Sequence, residues 1–255
     1  INLGRKEAWV FAARGLSYRL NEQYAEAIAD FTQVIALDPK EAWAYAQRGQ
    51  AHFDDGRRNE AIADLTAAID AGMNEAWAYD TRGQAYRMVG KYEEAIADLT
   101  KSLERDVDSP WTLRERGHSY RLKGDFEQAI ADFTKALEGE PDHGWALGQR
   151  GIAYRQKGDY ERAIADLTRA LEFGEKKAWT YDGRGLTYRL AKQYELAIAD
   201  FTASLELHAD DGWTLAQRGL AYRDQGDLAA AIADLTRAIE RGKKEAWVYD
   251  GRGQA

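Results

Sequence analysis

AWAYDTRGQAYRMVGKYEEAIADLTKSLERDVDS, the stretch from Ala76 to Ser109, decides the fold because near-copies of it fill the chain. Its tryptophan returns every 34 residues without a missed step, at Trp9, Trp43, Trp77, Trp111, Trp145, Trp179, Trp213 and Trp247. An Arg-Gly pair and the block A-I-A-D-[FL]-T keep the same spacing, and no copy carries an insertion. Such regularity predicts an array of one repeated supersecondary unit.

Each unit is predicted to be a helix, a turn and a second helix. The first half, Ala76–Met88, is rich in residues compatible with a helix, and Gly90 then supplies a stop. The second half resumes at Tyr92 with an apolar stripe at helical spacing, formed by Ala95, Ile96, Leu99 and Leu103. A single pair of helices cannot bury its apolar faces, so neighbouring pairs must stack into a solenoid.

The repeat resembles the tetratricopeptide repeat family over the whole chain. The resemblance rests on Gly83, Tyr86, Ala95 and Leu99, together with the boundary prolines Pro39 and Pro141. It implies an all-α fold, a right-handed superhelical solenoid of antiparallel helix pairs. It also implies that the first helices line a concave groove, where members of the family commonly bind peptides or partner proteins.

Alignment of the copies gives the expected boundaries. Residues 1–7 align with the end of a second helix and are predicted to be the tail of a preceding repeat. Residues 8–245 form seven tandem repeats, and residues 246–255 form part of the first helix of an eighth. We therefore expect a fragment of a longer array, whose open ends are suited to end-to-end self-association.

The tryptophans depart from the pattern of the family they resemble. That pattern places Trp four residues before the conserved glycine, where this sequence has Tyr79, whereas Trp77 lies six residues before Gly83. The usual Leu before the glycine is replaced by Arg82 and its equivalents. Both positions therefore require an explanation of their own.

A helical wheel assigns the tryptophan to the side away from the hairpin core. At about 100° per residue, Trp77 shares an arc of about 80° with Asp80, Gln84 and Arg87. The opposite side carries the core residues Tyr79, Arg82 and Tyr86. By the geometry of the family, the side that carries Trp77 faces the groove.

Stacking turns these positions into rows, which are the predicted binding surface. Its candidate residues are Trp43, Trp77, Trp111, Trp145, Trp179, Trp213, Asp80, Asp182, Arg87, Arg121, Arg155, Arg189 and Arg223. Indole and guanidinium groups are enriched at interface hot spots. Between the two rows lies a variable row, expected to set specificity, that includes Asp80, Arg114, Gly148, Asp182, Ala216 and Asp250.

A packing role is the alternative for the tryptophans. Each indole can wedge between adjacent first helices, with an arginine stem over it. Both roles coexist if one ring face stays open, and a row of fully exposed tryptophans would favour aggregation. The row of Asp80 also has two possible explanations. The presence of Asp in this row correlates with the type of loop at the repeat boundary, so loop geometry could account for it. Alternatively, the carboxylate could pair with Arg87.

Arg82 is predicted to form an ion pair. It projects toward the core side of its helix, and Asp98 recurs at a fixed distance in the second helix. We therefore expect a structural pair within a repeat or between neighbours.

Composition excludes several classes of protein. The net charge of −8 gives no global attraction to nucleic acid or anionic lipid, and the chain has no cysteine. No membrane-spanning apolar run, phosphate-binding glycine loop or metal-ligand spacing of the four histidines is present. We expect no enzyme activity, no cofactor and no metal, and the sequence fixes no compartment.

The predicted function is a protein–protein interaction scaffold that binds a peptide or partner segment in the groove. The Lys and Asn residues of the family's carboxylate clamp are missing, so a partner with acidic and aromatic or proline-rich character fits better. One alternative is an architectural spacer. Another is a single-stranded nucleic-acid binder that stacks bases on Trp and meets phosphates with Arg.

Overall fold

The computed structural model describes the backbone of residues 3–255 and the side chains of residues 7–255. Within that range every regular element is an α-helix, as predicted. The helices are α1 Leu3–Leu20, α2 Tyr24–Leu37, α3 Ala42–Asp54, α4 Arg58–Asp70, α5 Ala76–Met88, α6 Tyr92–Leu103, α7 Pro110–Lys123, α8 Phe126–Gly139, α9 Gly144–Lys157, α10 Tyr160–Glu172, α11 Ala178–Leu190, α12 Tyr194–Leu207, α13 Gly212–Gln225, α14 Leu228–Glu240 and α15 Ala246–Gly253.

The chain divides into two compact units, the first ending at Asp125 and the second beginning at Phe126. Within each unit, the two helices of a repeat pack on each other and the second helix packs on the first helix of the next repeat. First helices of successive repeats also touch, as α3 touches α5 and α11 touches α13. Across the described part of each unit, successive second helices are not in contact. First helices therefore line the inner surface of each unit.

The predicted turn inside each repeat is confirmed. Gly90 follows α5 with a φ of 80°, and Gly124 follows α7 with a φ of 95°. Glycine adopts this left-handed conformation without the steric cost that a side chain imposes. Glu22 and Lys192 stand at the same place in their repeats with φ values of 59° and 61°, so the turn survives there despite that cost.

The first helix is longer than expected. α1 runs without a break from Leu3 to Leu20, so residues 3–7 continue the helix that carries Trp9. No separate tail interrupts this range, while residues 1 and 2 lie outside the described part.

Close contact between the paired helices explains the glycine of the Arg-Gly pair. A Cβ atom added to Gly83 would lie 2.9 Å from Cγ of Leu99, closer than packed side chains allow. Leu99 is fully buried, as are its equivalents Phe31, Phe133 and Phe201. The variable [FL] position of the block is therefore the centre of each hairpin core.

Candidate functional site: the inner surface of the first helices

The arginine of each Arg-Gly pair joins three helices. Arg82 Nε and Nη2 donate to the two carboxylate oxygens of Asp98 at 2.7 and 2.8 Å, which confirms the predicted ion pair within a repeat. Its Nη1 donates to Thr66 Oγ1 at 3.0 Å, in the second helix of the preceding repeat. The same triple contact recurs at Arg48, Arg150, Arg184 and Arg218.

The threonine partner was missed by the sequence argument, although its signal was present. Thr66 is the last residue of one copy of the block A-I-A-D-[FL]-T and lies 16 residues before Arg82. Asp98 belongs to the next copy of the block and lies 16 residues after Arg82. Because the guanidinium groups of these arginines already donate hydrogen bonds to neighbouring helices, these arginines are structural residues. We therefore exclude them from the binding surface.

The tryptophans sit at the junctions between repeats. Trp43 meets the fully buried Phe31 of the preceding second helix edge to face, with ring centroids 5.9 Å apart. Trp213 meets Phe201 in the same way at 6.4 Å. Trp145 repeats the arrangement on Phe133 at 6.2 Å. This geometry supports a packing role for these three rings, but their aromatic partners lie on the preceding second helix, whereas the packing alternative placed the rings between adjacent first helices.

The rings nevertheless keep part of their surface open. Trp111 is 38% exposed and Trp247 37% exposed, while Trp9 reaches 72%. Five others are partly buried, namely Trp43, Trp77, Trp145, Trp179 and Trp213. Packing and ligand contact therefore remain compatible at each ring.

The variable row does not face the groove as expected. A Cβ atom on Gly148 would lie 2.5 Å from the ring of Trp179, so this glycine makes room for the tryptophan of the next repeat. Ala216 is fully buried, and Arg114 is nearly so. The prediction that this row sets specificity is wrong for these three residues, because Ala216 and Arg114 are buried and the indole of Trp179 fills the space beside Gly148.

Asp80 and Asp182 occupy the same row, and their carboxylates also lie at the junction with the next repeat. Thr112 Oγ1 donates to Asp80 at 3.2 Å, and Thr214 Oγ1 donates to Asp182 at 3.0 Å. Burial raises the pKa of both carboxyl groups, while the hydrogen bonds from the two threonines and the nearby hydroxyl groups of Ser102 and Ser204 act in the opposite direction. Among the described contacts neither aspartate pairs with an arginine of the row, so the structure does not support the Asp80–Arg87 pair, one of the two explanations open for this position.

Most members of the second row of arginines, which lies on the first helices, are neutralised. Arg87 pairs with Glu115 at 3.0 Å, and both side chains are largely covered. Arg189 and Arg223 share one carboxylate, Asp224, at 3.2 and 2.6 Å. Arg121 is partly buried and also has a partner.

Arg155 differs from the rest of its row. Its side chain is partly buried, and it forms no ion pair with a carboxylate of the described chain, unlike Arg19, Arg87, Arg189 and Arg223. Burial lowers the pKa of this guanidinium, and no carboxylate of the described chain offsets that effect. It is the member of the predicted arginine set that retains an unmatched charge.

His118 lacks metal-ligand spacing to the other histidines, but it lies close enough to two arginines of the row to be affected by their charges. Burial, followed by repulsion from Arg87 and Arg121, lowers its pKa to about 3. The unfolded chain takes up this proton near pH 6.5, whereas the folded chain does not. The free energy of unfolding is therefore expected to fall as the pH drops below 6.5.

We expect His118→Gln to reduce that acid sensitivity. Glutamine stands at the equivalent position as Gln50 and Gln84, so the substitution imitates sister repeats. Urea unfolding at pH 8 and pH 5.5 should show a pH-dependent loss of stability that is smaller by about 1 kcal/mol in the variant. An unchanged difference between the two pH values would show that His118 is protonated in the folded chain as readily as in the unfolded one.

The described residues contain neither of two other kinds of feature, a metal site and a membrane-spanning helix. Among the described side chains, no group of three or more His, Cys, Asp or Glu residues could hold a metal ion. No described helix has the length and apolar character needed to cross a bilayer.

Family comparisons agree with this architecture. Three tetratricopeptide repeat profiles match the chain, over residues 108–176, over residues 15–56, and over residues 44–71, 78–107 and 214–241. The chain belongs to the tetratricopeptide repeat family. Proteins of this family generally mediate protein–protein interactions and are generally non-enzymatic. A search of curated proteins finds no match to this tetratricopeptide repeat chain.

Solved structures share the fold. A tetratricopeptide repeat protein from Parabacteroides merdae is 17% identical with a TM-score of 0.72, and the match covers 98% of each chain. MamA is 25% identical with a TM-score of 0.63, over 68% of this chain and 94% of MamA. YrrB, described as having an unusual peptide-binding site, is 19% identical with a TM-score of 0.64, over 69% of this chain and 91% of YrrB.

Proposed function

We propose that this tetratricopeptide repeat chain is a scaffold that binds a peptide or partner segment along the inner surface of its first helices. The observation that carries the proposal is the open fraction of the indole row, on the same first helices that carry the second row of arginines. A few hot-spot residues dominate the binding energy at protein interfaces, and tryptophan and arginine are enriched among them. The peptide-binding site reported for YrrB, a relative in fold, supports the same class of ligand.

The arginines of the Arg-Gly pairs and the row of Asp80 take no part in this proposal, because both are engaged inside the helix stack. The proposed surface is therefore narrower than the sequence predicted. It consists of the tryptophan row and the arginine row that contains Arg87 and Arg155, and it is considered within each unit separately.

Selection of peptides from a random display library on the whole chain would test the proposal. Affinities of the selected peptides should then be compared between the wild type and the variants Trp111→Ala and Trp179→Ala. We expect at least one of these to weaken binding roughly tenfold, since truncating a hot-spot residue removes over 1 kcal/mol. Circular dichroism would establish that each variant retains its helices.

Matched controls lie on exposed second-helix positions of each unit, at Glu94 and Glu161. Glu94→Ala and Glu161→Ala should leave the affinities unchanged. Failure to select any peptide, or equal losses in groove and control variants, would contradict binding at the inner surface.

A purely architectural spacer that self-associates end to end is the second candidate. The observation in its favour is the packing of Trp43, Trp145 and Trp213 on buried phenylalanines. Sedimentation at increasing protein concentration separates the two functions. A spacer would assemble without any ligand, whereas a groove-binding scaffold has no need to.

Single-stranded nucleic acid is the weakest of the three candidates. The net charge is −8, and Arg19 and Arg87 of the first unit already pair with Asp54 and Glu115. Oligonucleotide binding at low salt that declines steeply as salt is added would support this candidate.

A further inference from the structure

The unmatched guanidinium of Arg155 can be explained by comparison with sister repeats. Arg19 reaches Asp54 at 3.3 Å, and Arg189 reaches Asp224 at 3.2 Å. In both pairs the acid lies 35 residues further along the chain, near the end of the next first helix. The residue in that position for Arg155 is Leu190. The carboxylate that neutralises Arg19 and Arg189 is thus replaced by an apolar side chain. Arg87 also lacks an acid at that position and pairs with Glu115 instead, where the repeat of Arg155 has Gly183.

Apolar residues surround the same place on the inner surface. Leu190 is 40% exposed although it is aliphatic. Ile152 and Leu186 are partly buried, and they occupy the position that is Leu16, Gln50, Gln84 and His118 in the first unit. The first helices of the second unit therefore present aliphatic surface beside an unpaired cation.

The charge balance of the second unit favours an anionic ligand. Its arginine row contains Arg155, Arg189 and Arg223, of which the last two share the single carboxylate of Asp224. In the first unit, by contrast, Arg19 and Arg87 each have an acid of their own. A partly desolvated guanidinium without a counterion forms strong hydrogen bonds to a carboxylate, which it contacts with two parallel donors.

We propose that the second unit binds an extended peptide through one carboxylate that is flanked by aliphatic side chains. Arg155 receives the carboxylate, and Ile152, Leu186 and Leu190 contact the flanking residues. The partner is therefore an acidic and aliphatic segment. This inference rests on the proposed function and adds the ligand chemistry and the anchoring residue.

The test uses the peptides selected on the whole chain, measured against Arg155→Gln and Leu190→Asp. The first variant removes the charge, and the second supplies the internal acid that Asp54 and Asp224 supply in sister repeats. Both should weaken binding roughly tenfold or more, since a charge-assisted hydrogen bond has that effect. Arg241→Gln alters an exposed arginine of the same unit that already pairs with Asp210 and lies outside the proposed surface, so it is the matched control and should leave the affinity unchanged.

Peptide variants identify the source of the carboxylate. Replacing the acidic residue of a selected peptide by its amide should reproduce the loss caused by Arg155→Gln, and the two losses should not add. Amidation of the peptide's C-terminus should have no effect if the anion is a side chain, whereas a loss on amidation would assign the terminal carboxylate.

The outcomes separate this inference from the proposed function. If no peptide is selected, or the tryptophan variants bind as the wild type does, the function itself fails. If peptides depend on Trp179 but bind Arg155→Gln and Leu190→Asp with wild-type affinity, the scaffold function stands and the carboxylate site is overturned.

Discussion

Asp98→Ala should lower the free energy of unfolding by about 3–5 kcal/mol, because it leaves the buried guanidinium of Arg82 without its carboxylate. Arg82 is 8% exposed and Asp98 3% exposed, so water cannot replace the lost partner. The bond from Arg82 to Thr66 remains and compensates only in part. Urea unfolding followed by circular dichroism at neutral pH measures the change.

Glu94→Ala is the matched control for this prediction, since Glu94 lies on the same helix but is exposed. It should change the unfolding free energy by less than about 0.5 kcal/mol. In the double variant Arg82→Ala/Asp98→Ala, the loss should be smaller than the sum of the single losses, because no unpaired charge is left. If Asp98→Ala unfolds at the urea concentration of the wild type, the pair does not stabilise the repeat.

Phe201→Ala is expected to cost about 3–5 kcal/mol, as is usual when a large buried side chain is removed. Phe201 is fully buried on α12 and supports the ring of Trp213 from the next repeat at 6.4 Å. The cavity would therefore weaken both the hairpin core and the junction. Tryptophan emission should shift to longer wavelength, and urea unfolding should begin at a lower concentration.

Phe201→Leu provides a conservative comparison. Leucine occupies the equivalent position at Leu65, Leu99, Leu167 and Leu235. This variant should cost less than about 1.5 kcal/mol, since the backbone at that position already accommodates leucine in four other repeats. Equal losses for the alanine and leucine variants would indicate that the aromatic contact, rather than the filled volume, stabilises the junction.

The repeat and its helices were predictable because the signals are local and appear many times. Glycine stops, apolar spacing and the fixed Arg82–Asp98 separation each specify one contact within a hairpin, and the structure contains all of them. The bond to Thr66 was also encoded, but it joins neighbouring repeats. A helical wheel drawn for one helix cannot show such a contact.

The inner surface was less predictable for the same reason. On an isolated helix, Asp80 and Gly148 face away from the hairpin core, and the wheel assigned them to the groove. In the stack, the next repeat places a threonine against Asp80 and an indole against Gly148. Asp80, Ser102 and Thr112 recur together as Asp182, Ser204 and Thr214, whereas alanines occupy the same three positions at Ala46, Ala68 and Ala78. This joint change between repeats was the signal that could have located the junction.

The contact of one arginine with two second helices also bears on how such an array can change in length. The second helix of a repeat provides an aspartate for the arginine of the same repeat and a threonine for the arginine of the next repeat. Because both residues recur, any two copies placed side by side can form these contacts. Unequal recombination that duplicates or removes a whole repeat restores the bond at the new joint. Loss or gain of part of a repeat breaks the spacing of 16 residues and leaves a buried guanidinium without its acid, which selects for exchange in whole units.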